Sequence, residues 1–211
     1  MTLTQRFTAA CGAITLILAL AACGDNEGAT TDAGSTSTTA PSTAPSASGA
    51  AEVSAEHNDA DVAFAQTMIV HHRQAIDMAD LAADRAANEE VKLLAEQISA
   101  AQGPEIQMMT GFLHAWDAEV PQGMQLGGMG GMGGMPGAMT PEQMGQLMAS
   151  QGAGFDRMFL EMMTAHHSGA VEMARAEQAE GQNPQTLELA ATIETDQTAE
   201  IEEMRQILAS L

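Results

Sequence analysis

From residue 58 onward the chain carries one apolar stripe on a polar background. Between about Asn58 and Ala87 neither Pro nor Gly interrupts it, and Phe64, Met68, Ala75, Met78 and Ala82 recur at helical spacing. Asn88, followed by Glu89 and Glu90, marks the cap and first turn of a second helix. That helix should run to about Trp116, striped by Val91, Leu94, Ile98, Ile106, Met109 and Leu113, with a kink or break at Gly103-Pro104. A third helix starts near Gly154. Gly181-Gln182-Asn183-Pro184 then supplies a terminal Gly, an Asn cap and a Pro at the first helical position. A fourth helix follows to the end of the chain. No stretch alternates with period two, so no sheet is expected.

The pattern is written twice. An offset of 95 residues lays 61–113 on 156–208 without a gap. Asp61 meets Asp156, Met68 meets Met163, His71-His72 meets His166-His167, and Met78 meets Met173. Further along, Leu94 meets Leu189, Ile98 meets Ile193, Gln102 meets Gln197, Glu105 meets Glu200, and Met109 meets Met204. Identity at one fixed spacing indicates duplication. Two copies of a helical hairpin make an all-α four-helix bundle, with copy one at 57–116 and copy two at 153–211.

The segments outside the repeat differ in composition. Residues 121–139 read PQGMQLGGMGGMGGMPGAM, a Met/Gly-rich part of the 117–152 linker expected to be flexible without a ligand. Thr140-Pro141-Glu142-Gln143 is a capping-box sequence that predicts a short helix after it. At the other end, Arg6, the apolar run Ala9–Ala19 and Leu20-Ala21-Ala22-Cys23 read as a signal peptide over 1–22 closed by a lipobox. Its apolar run is shorter than the ~20 residues of a spanning helix. Cys23 is then the expected lipidation site, anchoring an exported protein at the extracytoplasmic face of the cell membrane. Cys11 is lost with the signal, so no disulfide is available. Residues 23–56, rich in Ser, Thr, Ala and Pro, read as a disordered tether.

Charge narrows the partners. Against 28 acids stand only 7 Lys plus Arg, a balance that repels nucleic acid. Methionine is abundant, at 17 residues, but its placement says more than its number, because Met also fills cores.

At ~100° per residue, Phe64, Met68, Ala75 and Met78 fall within ~60° of His71, and His72 and Asp61 lie ~80–100° away. One helical face thus carries a thioether and two imidazoles, edged by a carboxylate, and copy two repeats it with Asp156, Met163, His166, His167 and Met173. Packing offers one account, in which the Met residues fill the core and backbone or acids satisfy the histidines. Yet Leu would pack better than a buried His, whose ring nitrogens need partners. Metal binding offers the other. Imidazole with thioether and without thiolate suits copper, Cu(I) above all. Met129, Met132 and Met135, spaced by glycine, would be auxiliary ligands, as would Asp61 and Asp156. His57 and His114 stand alone near helix ends.

Enzymatic readings lack residues: no Glu-x-x-His pair for a di-iron site, no nucleophile elbow, no phosphate-binding loop. No catalytic group is expected.

The strings Met68–Ala79 and Phe155–His167 resemble the bacterial family known as domain of unknown function 305, over about residues 57–211. The resemblance implies a ferritin-like helical bundle, usually exported, some of whose members bind copper. Carried onto this chain it points to Met68, His71, His72 and Met78, with Met163, His166, His167 and Met173. The expectation is an envelope copper buffer or metallochaperone; a helical interaction or structural module without metal is the alternative.

Overall fold

The computed structural model describes residues 52–123 and 134–211. The signal segment, Cys23, the tether up to residue 51, and Met124, Met129 and Met132 lie outside the described residues. Among those described, all regular structure is helical: α1 (Asp59–Asp80), α2 (Ala82–Arg85), α3 (Glu89–Ala115), α4 (Pro141–Ala149), α5 (Ala153–Glu180) and α6 (Pro184–Ser210). None of these helices is long and apolar enough to cross a membrane. Helix α1 packs on α3 and α5 on α6, and the two pairs meet mainly through α1 and α5.

Local chemistry starts these helices where the sequence places them. The Asn58 side chain accepts from Ala60 and Asp61 N–H, and Asp61 answers by accepting from Asn58 N–H. Asn88 caps α3, Asn183 caps α6 ahead of Pro184, and Thr140 with Gln143 forms the capping box of α4. Two expectations need correction. The first helix is divided at Leu81, whose N–H turns to Met78 and Ala79 carbonyls. Conversely, α3 runs through Pro104 without a break. The preceding residue, Gly103, has no Cβ to collide with the proline ring, which removes the usual restriction before Pro.

Two apolar clusters related by the repeat fill the interior. One joins Leu94 and Ile98 to Phe155, Phe159, Met163 and Met204. The other joins Leu189 and Ile193 to Phe64, Met68 and Met109. On the long helices the residues of one cluster precede those of the other, Val171 on α5 excepted, and a short buried polar stretch separates them. Those stretches are His71-His72, Gln102, His166-His167 and Gln197, every one 3% exposed or less. The repeat thus builds a polar layer across the middle of an apolar bundle.

Residues 52–56, expected as the end of the tether, are tied down. Val53 packs on the second cluster, and Ser54 C=O accepts from Trp116 Nε1–H and the Asn183 amide. The large apolar side chain of Val53 gives this part of the chain something to bury, unlike the Ser/Thr/Ala run before it.

Candidate metal centre

The first helix of each copy brings its His-His pair to the same place. His71 and His166 meet at the contact of α1 with α5, ring centroids 3.7 Å apart and planes tilted by 32°. The two motifs therefore share one centre. Flanking them, His72 Nε2–H donates to Glu105 on α3 and His167 Nε2–H donates to Glu200 on α6, both at 2.7 Å. All four rings are fully buried.

Hydrogen bonding leaves these rings with one free side. Carboxylates and carbonyls only accept, so Nε2 carries the proton in His72, His167 and also His71, which donates to Pro136 C=O at 3.1 Å. Among the described residues Nδ1 of those three rings has no partner, and in His166 neither nitrogen has one. Gln102 and Gln197, one turn before Glu105 and Glu200, likewise find no partner for either amide atom among the described residues. An unsatisfied buried polar atom costs about 1–3 kcal/mol, so this layer is expensive as packing alone. A ligating histidine typically shows the same arrangement, with an outer acceptor on one nitrogen and a bare lone pair on the other. Burial, then the neighbouring His72, lowers the pKa of His71 from 6.5 to about 3. Burial and the His71 ring push His166 in the same direction. Both are thus neutral and metal-competent at ordinary pH. Among the described residues no three His, Cys, Asp or Glu side chains already converge as a metal cage, so a bound ion would require the tilted central rings to turn.

The thioethers divide. Met68 and Met163, fully buried, stand one turn before His71 and His166, in opposite clusters. Met78 is core in the first cluster, and Met173 is half-buried in a surface pocket with Phe64, Thr67, Glu177 and Glu180. Both lie seven residues beyond the histidines, ~10 Å along the helix, and the structure does not bring them to the layer.

The auxiliary role expected of Asp61 and Asp156 is not supported. Asp61 accepts from Asn58, Gln182 and Asn183 N–H and from the Thr186 hydroxyl. Asp156 accepts from Ala87 and Asn88 N–H. Each aspartate caps the turn of the other hairpin, and its oxygens are taken. Burial pulls the Asp61 pKa upward, but these hydrogen bonds outweigh it and hold the group at about 2.

The linker also departs from expectation. Met135 and Met139 are buried rather than loose. The Gln74 amide clasps Met139, accepting from its N–H at 2.7 Å and donating to its C=O at 2.9 Å. Of the lone histidines, His57 stacks on Trp116, centroids 4.6 Å apart, and His114 is exposed. Sequence reasoning missed Glu105, Glu200, Gln102, Gln197 and Gln74. The first four were visible as a Gln-x-x-Glu string identical in both copies.

Known proteins place this architecture. A crystal structure of a DUF305 protein from Streptomyces coelicolor, provisionally described as secreted, is 35% identical with TM-score 0.63, covering 72% of this chain and 93% of that one. A DUF305 fragment from Deinococcus radiodurans is 27% identical with TM-score 0.65, covering 73% and 98%. CopM in its Cu(II)-bound form is 35% identical with TM-score 0.59, covering 71% and 96%, and CopM was also solved with Cu(I) and with Ag. No curated protein matches the chain. The family's sequence profile, Domain of unknown function (DUF305), matches residues 61–208, and the chain belongs to that family.

Proposed function

We propose that this protein binds copper at the shared histidine centre, as a buffer or metallochaperone of the cell envelope, held to the membrane by lipid on Cys23. The observation that carries the reading is the set of four buried imidazoles, three of them with Nε2–H engaged and Nδ1 bare. The copper-bound forms of CopM make copper the first ion to try. His71, His72, His166 and His167 hold the ion, and Met68 or Met163, one turn away, adds a soft donor that favours Cu(I). Glu105 and Glu200 fix ring orientation and tautomer. The protein stores or passes an ion and turns nothing over.

The test is Cu(I) titration of residues 24–211 under reducing conditions, beside a variant with all four histidines changed to Ala. Tight uptake by the parent and its loss in a folded variant are expected. Equal, weak uptake by both would remove the histidines from the function. A second reading, a helical interaction or structural module without metal, draws on the absence of a preformed cage among the described residues. Under that reading copper leaves the protein's stability unchanged.

A further inference from the structure

The repeat diverges at one pair of positions beside the histidines. Position 74 in copy one is Gln, and its counterpart 169 in copy two is Gly. Both face the end of the Met/Gly linker. Gln74 clasps the backbone of Met139. Gly169 lies against the Pro136 carbonyl so closely that a Cβ there would collide with the backbone of Pro136 and Gly137. Gly137, at φ +72°, is pressed against the other side: a Cβ on it would stand 2.6 Å from Ala165 O and 2.8 Å from His166 O. Between these contacts Pro136 C=O accepts from His71 Nε2–H. Met135, next in line, is buried yet belongs to neither apolar cluster.

We propose that Gln74 and Gly169 form a docking seat for residues 135–139. The seated strap covers the shared histidine centre, fixes the tautomer of His71, and presents the Met135 thioether as an additional copper ligand. The inference rests on the copper reading above. It makes the two copies unequal: the strap occupies one nitrogen of His71, whereas among the described residues neither nitrogen of His166 has a partner. Copper then enters and leaves through movement of the strap, and the centre takes one ion rather than one per motif.

Gly169→Ala tests the seat without touching a ligand, and Ala is the better helix former at this position in α5. The full exported chain, wild type and variant, is loaded with Cu(I). Amide exchange of residues 135–139 and copper release to a chelator are then followed. In the variant the strap amides should lose protection and release should accelerate at least tenfold. Gln74→Ala loosens the opposite side and should do the same should the first variant not fold. Met135→Leu keeps the strap seated but weakens Cu(I) binding about tenfold or more. Unchanged strap protection and release rate in the seat variants would overturn the inference while leaving copper binding intact. No copper uptake by the wild type would overturn the function itself, and this role with it.

Discussion

Glu105 and Glu200 decide what the buried histidines can do, because each carboxylate holds one ring nitrogen and so frees the other. Glu105→Gln should leave the helices intact and lower copper affinity about 10–100-fold, the usual size of an outer-shell loss, read by competition titration. Glu177 is a residue of another kind. It is buried beside Thr186 and Asp61, and it replaces the Ala82 of copy one. Its tight fit against Gly181 admits no Cβ on the latter. Burial, with Asp61 nearby, raises its pKa from 4.5 to about 7. Folding therefore favours the protonated acid: the contribution is complete below pH ~4.5 and is lost as pH rises through 7. Glu177→Gln should raise stability by on the order of 2 kcal/mol at pH 8, and that advantage should vanish near pH 4.5 in thermal unfolding.

The long elements were legible, because caps and stripes are local: Asn58, Asn88, Thr140 and Asn183 each start a helix as their sequence context requires. Reading was poorer where a side chain works across elements. On a helical wheel Asp61 neighbours His72, but a wheel cannot show that the α5–α6 turn descends on Asp61 from 121 residues away in sequence. Gly103-Pro104 failed as a helix breaker because propensity is averaged over contexts, and here glycine relieves the clash. The strap was misread since Gly and Met suggest looseness, whereas two close backbone contacts need glycine. The reciprocal caps give an element-scale prediction. Asp61→Ala should cost about 2–4 kcal/mol of stability in denaturant unfolding, from several hydrogen bonds to one buried charge, without changing copper stoichiometry. A lost copper equivalent would return Asp61 to the metal site.

At the scale of the molecule, duplication has a consequence that neither copy has alone. Each hairpin supplies half of a polar layer, and the layer closes only where α1 meets α5. That each copy sets a His-His pair on one helical face could be read from the repeat; the approach of His71 to His166 within 3.7 Å could not, since it depends on how the hairpins cross. Ligand held by the native layer must stabilise the whole fold. With free copper at about 100 times Kd, the gain is about 2.7 kcal/mol, a rise in Tm of roughly 5–10 °C for a domain of this size. An unchanged Tm supports the module without metal. The most direct test of the central claim is X-ray absorption spectroscopy of the Cu(I)-loaded chain, which separates imidazole nitrogen from thioether sulfur. The account predicts the multiple-scattering signature of imidazole together with a sulfur shell. A spectrum of sulfur donors alone would place the ion on the methionines and contradict it.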